Sequence, residues 1–230
     1  MGIEVAGGRV QAVFTDRGRI GAGAVLIACG GMNDAVARMA GLDLPIRAYP
    51  LQAMVTEPVK PWLHTLVSSV SLHTDLVQSS RGEVVIGGGS DPYQLIATRS
   101  TLDMKAHLAE GATPLFPFLR GLRVLRQWAG ITDMTPDYSP IMAATPVGGL
   151  WLDAGWGTWG FKATPVVGRR MAEAIATGRV PALLEPFALA RFDRFALVNE
   201  MGATAPSHQG AGTKLLQRPL KGPRNIDEFQ

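Results

Sequence analysis

The run GLWLDAGWGTWGFKATPVVGRRMAEAIATG, residues 149–178, constrains this chain more than any other stretch. A short apolar segment runs into Gly155, Gly157 and Gly160, and a helical pattern follows, which reads as strand, tight turn and helix. Thr164 suits a helix N-cap, Pro165 the first helical position and Gly178 the stop, so a helix over 166–177 is predicted. Along it Val167, Met171 and Ile175 fall at fourfold spacing and predict one buried stripe. Glycines at a strand end let the backbone approach a ligand, and the helix start offers free N–H groups and a positive dipole end. The same glycines also suit a close-packed corner with no ligand, and the spacing alone does not choose. No acidic residue follows about 20 positions later at the end of a second strand, so this is not the dinucleotide fingerprint. Lys162, at the start of the helix, is electrostatically disfavoured there unless it faces an anion, so it is either ligand-facing or simply solvated.

Upstream, residues 2–21 alternate β-prone runs with Gly-Gly at 7–8 and Arg-Gly at 17–18, which predicts a meander. The run AVLIA, 24–28, lacks polar alternation and is expected as a parallel strand buried on both faces, with a short helix from Ala35 to Met39 after CGGMND. Pro45 and Pro50 limit the next stretch to two extended pieces, and residues 66–91 read as antiparallel strands. Ser100 and Asp103 have capping-box spacing for a helix over 100–111. RVLRQWAGI and GLWLDA are further strands; in the first, alternation puts Arg126 on the face of Trp128, as a surface charge or an anion contact. Asp137, before Tyr138, reads as a turn residue. This order of elements indicates an α/β layer carrying an inserted antiparallel sheet.

Composition narrows the function classes. A net charge of +3 with no run of like charges gives no nucleic-acid footprint. There is no apolar run of about 18 residues and no signal pattern, so a soluble cytoplasmic protein without membrane contact is expected. The single cysteine, Cys29, excludes an intrachain disulfide framework. His64, His73, His107 and His208 are too dispersed for a metal site or a Cys-His nucleophile, so no metal ligands are assigned.

Five segments, 24–46, 50–58, 82–93, 115–142 and 149–178, resemble in order and spacing the C-terminal half of the FAD-dependent D-amino-acid oxidase-like family. The likeness covers about residues 1–200 and is strongest to the sarcosine oxidase beta-subunit branch. It implies an α/β fold: the C-terminal part of a Rossmann-like, glutathione-reductase-type FAD domain with an inserted, mainly antiparallel substrate-binding sheet. Residues 1–45 and 140–202 would form the partial FAD domain, 46–139 the substrate sheet, and 203–230 a poorly ordered tail. The implied reaction is oxidative demethylation of sarcosine, by hydride transfer from the carbon beside a secondary amine to FAD. By position, Lys162 matches a lysine that binds the substrate carboxylate, and Thr158 joins it in the catalytic set. Gly155, Gly157, Gly160 and Phe161 match the turn along the flavin, and Ala28 and Gly30 a second strand end at the cofactor. Arg126 matches an arginine associated with a second flavin, FMN, at a subunit interface.

The departures from the family pattern carry expectations too. The family's opening strand, glycine loop and helix for the FAD pyrophosphate has no counterpart here, so a truncated or partial chain is expected. Trp159 stands where the pattern has a small residue, and its indole either blocks the pocket, stacks on the ligand or points outward. Residues 215–229 resemble the start of a delta subunit, with Arg218 and Lys221 at its two cysteine positions, so zinc binding is not expected there. The implied partners are a sarcosine-like amine and alpha, gamma and delta subunits. Two alternatives remain: a dehydrogenase for dimethylglycine, proline or an opine, and a catalytically silent piece that packs with partner subunits.

Overall fold

Glycine pairs break the opening residues into short extended runs, and in the computed structural model, which describes residues 1–158 and 160–198, they form the expected meander. Its strands β1 (Gly2–Ala6), β2 (Arg9–Thr15) and β3 (Gly18–Gly21) pair antiparallel in chain order. Gly7 and Gly8 both take positive φ, at 58° and 73°, which a tight two-residue hairpin turn needs. The chain divides into two compact units. One holds residues 1–48 and the described residues from Thr132 onward, and the other holds 49–131.

In the first unit, β4 (Val25–Ile27) follows the meander. A 3-10 turn at Gly30–Met32 leads into α1 (Asn33–Arg38), so the helix begins two residues before the predicted start. The strands β10 (Ile141–Ala144) and β11 (Leu150–Ala154) return late in the chain. They make a sheet of order β10-β11-β4, antiparallel in the first pair and parallel in the second. The parallel pairing of β4 is as expected, but Leu26 is 39% exposed, so the described residues do not bury this strand on both faces. Alternation along β10 and β11 sends Ile141, Leu150 and Leu152 into one core with Ile27 and Leu44. Met142 and Trp151 point the other way, into a second core.

That second core is closed by α3 (Gly160–Thr177), through Val167, Met171 and Ala174, with Ile175 half-buried beside them. Val167 and Met171, once fully buried, contribute about 1.5–3 kcal/mol each. The helix starts six residues earlier than predicted. Pro165 is therefore its sixth residue, inside the helix, where it removes the bond to the Phe161 carbonyl and its ring crowds that carbonyl, and the Thr164 hydroxyl donates to the Gly160 carbonyl (3.0 Å) instead of capping. The stop is as predicted: Gly178 has φ 69° and donates its N–H to Ala174 O at 2.8 Å.

Asp137 is more than a turn residue. Its carboxylate is buried and accepts Nε and Nη2 of buried Arg191 at 2.7 and 3.0 Å, with the Val198 N–H at 3.1 Å. Arg191 also donates to the carbonyls of Phe187, Ala188 and Ser139. The pair thus ties the irregular segment after α3 to the turn before β10.

The second unit contains a sheet of order β6-β7-β8-β5-β9. Its strands are β5 (Arg47–Pro58), β6 (Val67–Ser69), β7 (Thr74–Gln78), β8 (Glu83–Ser90) and β9 (Val124–Met134). The expected extended pieces around Pro50 form one strand, and the register shifts beside Gln52. The helix α2 (Leu102–Leu115) lays Met104, Leu108 and Ala112 on Met54, Leu76, Val84 and Ile86 of the sheet. Its N-cap is Thr101, whose Oγ1 accepts from Met104 N at 3.3 Å, not the predicted Ser100. A satisfied polar cluster of Gln52, Asp91, Thr101 and Gln127 anchors that end of the helix to the sheet. The last residues of β9 lead back into the first unit.

No described helix is long and apolar enough to cross a membrane. Among the described residues no group of three or more His, Cys, Asp or Glu could hold a metal ion. Trp159, the tail expectation at 203–230 and the delta-like segment at 215–229 lie outside the described residues.

Candidate functional site

The strand end of β4, the end of β9, the turn after β11 and the first turns of α3 meet around one cavity of about 350 Å³. It is lined by Ala28, Gly30 and Asn33, by Asp133, by Asp153 and Trp156, and by Gly160, Thr164, Val167 and Gly168. A Cβ added at Gly30 or Gly168 would meet no protein atom within 4 Å, so both glycines border open space. Gly168 sits in mid-helix, where glycine costs about 1 kcal/mol relative to alanine, and it borders the cavity. Among the described residues no basic side chain lines this space.

The turn itself is built around a carboxylate. Asp133 Oδ2 accepts the Gly155 N–H at 2.5 Å and Asn33 Nδ2 at 2.7 Å, and Oδ1 takes the Gly157 N–H at 3.3 Å. Gly157 N also reaches the Asp133 carbonyl at 2.9 Å. On the far side Asn33 Oδ1 accepts the Cys29 N–H at 2.6 Å. Gly155 and Gly157 have φ of 73° and 53°, so the close approach to Asp133 uses a backbone region that L side chains avoid. Burial pushes the Asp133 carboxyl above its ordinary value, against the lowering effect of these N–H donors. Burial likewise raises Asp153, opposed by the hydrogen bond from Trp156 Nε1 (2.6 Å) and reinforced by the Asp133 charge.

Of the residues singled out in the sequence, Ala28, Gly30 and Gly160 line the cavity. Gly155 and Gly157 stand behind it, with their amides committed to Asp133. Phe161, in the first turn of α3, is 96% exposed, and neither it nor Thr158 nor Lys162 is among the lining residues. Arg126 is an exposed residue of β9 in the other unit. Asn33, Asp133, Asp153, Trp156 and Gly168 were not picked out by sequence reasoning. Two of them carry a readable signal: an aspartate at the end of the apolar strand WAGITDM, and a glycine in mid-helix.

The model of the family described as FAD dependent oxidoreductase (DAO) matches residues 1–174. The chain is 41% identical to sarcosine oxidase subunit beta of Rhodobacter capsulatus over 207 residues, which are 90% of this chain and 50% of that protein. It therefore spans about half the length of the curated relatives it matches. Among solved structures, L-proline dehydrogenase from P. horikoshii superposes with a TM-score of 0.80 at 28% identity, covering 86% of this chain and 54% of that one. Glycine oxidase from Geobacillus kaustophilus shares the fold, with a TM-score of 0.73 at 24% identity over 83% of this chain and 51% of that one. The α/β architecture, the glycine turn ahead of α3 and these matches agree, and the chain belongs to the FAD dependent oxidoreductase family.

Proposed function

We propose that this chain supplies part of the FAD site and the substrate-facing sheet of an amine-oxidising flavoenzyme, with sarcosine as the substrate. The observation that carries the reading is the cavity at the start of α3, whose glycine walls at Gly30 and Gly168 leave room for a bulky cofactor. Bound there, FAD would supply the hydride acceptor. The unit of residues 1–48 and the described residues from Thr132 onward would hold it, and the sheet within residues 49–131 would be the substrate-binding part.

In this scheme Ala28, Gly30 and Gly160 give backbone approach to the cofactor. The first-turn N–H groups of α3, unpaired within the helix, offer dipoles that favour negative charge on the bound group. Gly155, Gly157, Thr158 and Phe161 shape the turn that aims them. Lys162, exposed near the helix start, would meet the carboxylate of the substrate, its ammonium acting as a point charge. FMN at an interface near Arg126, and alpha, gamma and delta partner subunits in a cytoplasmic complex, extend the same reading. It is supported by the sarcosine oxidase beta relatives, whose name is that of a subunit.

Anaerobic addition of sarcosine to the flavin-loaded protein tests this. We expect bleaching of the flavin band, and Lys162→Ala should raise the KM for sarcosine about tenfold or more, the scale of one lost charge-assisted hydrogen bond. Unchanged KM removes Lys162 from the site. Bleaching by proline but not sarcosine would move the reading toward the activity named for the P. horikoshii relative.

A further inference from the structure

Two separate backbone walls of the cavity meet on one carboxylate. The wall from β4, at Ala28 and Gly30, is held through Cys29 N–H to Asn33 Oδ1 (2.6 Å) and Asn33 Nδ2 to Asp133 Oδ2 (2.7 Å). The wall from the turn before α3 is held by Gly155 N–H on the same Oδ2 (2.5 Å) and Gly157 N–H on Oδ1 (3.3 Å). The Asp133 side chain is buried, its donors are all neutral amides, and no lysine or arginine is paired with it among the described residues. A buried carboxylate without a counter-cation is a costly way to build a corner. An apolar residue of similar size would satisfy a corner that only had to pack, but it could not fix both loops at one point. The arrangement also consumes the Gly155 and Gly157 amides, so the donors that remain for a ligand belong to the first turn of α3.

We infer that Asp133, with Asn33, is a positioning residue of the cofactor site, setting the spacing between the strand end at Ala28–Gly30 and the start of α3. This rests on the flavin reading above. Only Asp133 Oδ2 accepts from both walls at once, and a carboxamide can keep its oxygen there while turning its NH2 toward Gly157, so asparagine preserves the link. Leucine, of similar volume, has no acceptor and releases both walls. Removal of the buried charge offsets the lost hydrogen bond, so folding stability and ligand affinity should respond differently.

The test compares the 230-residue chain with its Asp133→Leu, Asp133→Asn and Asn33→Ala variants. Each is titrated with FAD by flavin fluorescence, unfolded thermally without ligand, and examined by amide NMR. We expect Asp133→Leu to weaken FAD binding about tenfold or more, on the scale of one charge-assisted hydrogen bond, while leaving the unfolding midpoint nearly unchanged. Asn33→Ala should weaken binding similarly, and Asp133→Asn, which keeps the shared acceptor, should recover most of the affinity. In the unsubstituted chain the Gly155 amide proton should follow the titration of one carboxyl, and this dependence should vanish in Asp133→Leu. Equal FAD affinity in Asp133→Leu, or a loss that only tracks lost folding, overturns the inference. So does a Gly155 amide that ignores pH. If the chain takes up no FAD while the Gly155 amide still follows the carboxyl, the flavin reading fails and the link between the walls stands.

Discussion

Replacing Arg191 with Leu is expected to destabilise the first unit by about 3–5 kcal/mol, the cost of leaving a buried charge unpaired. Asp137 would lose two guanidinium contacts, at 2.7 and 3.0 Å, and keep only the N–H groups of Val198 and Ser139 as donors. The carbonyls of Phe187, Ala188 and Ser139 would lose their shared donor as well. Since domains of this size carry about 5–15 kcal/mol in total, the variant should unfold far earlier in urea. Arg191→Lys keeps the charge but not the fork, and should recover only part of the loss. A midpoint for Arg191→Leu within a few tenths of a molar of the unsubstituted chain would show that the pair contributes nothing net.

Gly155→Val should be the second severe change, costing about 2–6 kcal/mol. A non-glycine residue at φ 73° costs about 1–3 kcal/mol before any contact is considered. The new Cβ would also drive into the Thr135 methyl and approach Ile46, and overpacking adds about 1–3 kcal/mol. The backbone can relax only by pulling the Gly155 N–H off Asp133, so the cavity wall should move with it. Urea unfolding measures the first effect, and loss of FAD uptake at a temperature where the variant is still folded measures the second. Stability and uptake both equal to those of the unsubstituted chain would contradict the geometry of the turn.

Much of the architecture was legible in local chemistry. Period-2 alternation and glycine punctuation located the meander, and the apolar run at 24–28 indicated a parallel strand. The stop at Gly178 followed from its freedom at positive φ. The errors cluster where tertiary context outranks propensity. Thr164 and Pro165 form a good local start for a helix, yet α3 extends back to Gly160 with Pro165 inside it, so local propensity did not set the start. Thr101 displaced Ser100 as a cap because the cluster with Gln52 and Asp91 holds it in place.

The candidate site was legible in part, and for a similar reason. Ala28, Gly30 and Gly160 could be located because backbone approach calls for small residues at strand ends and helix starts. Asn33 and Asp133 are separated by 100 residues, and no periodicity links two side chains that meet only in the fold. Asp137 looked like a turn former because its partner, Arg191, lies 54 residues away. Arg126 illustrates the opposite case: a residue assigned by resemblance is in a different unit from the cavity, so its role depends on what lies against that exposed strand.

The central claim is that the cavity beside α3 receives FAD, and amide chemical-shift mapping of the 230-residue chain during FAD addition tests it even if affinity is modest. The account predicts that the largest shifts fall at Ala28, Gly30, Asn33, Gly160 and Gly168, and that Gly168→Phe, whose ring would fill the open space there, abolishes them without lowering the unfolding midpoint. Shifts confined to other surfaces such as Glu173–Pro181, or a Gly168→Phe variant that shows the same shifts as the unsubstituted chain, would contradict it.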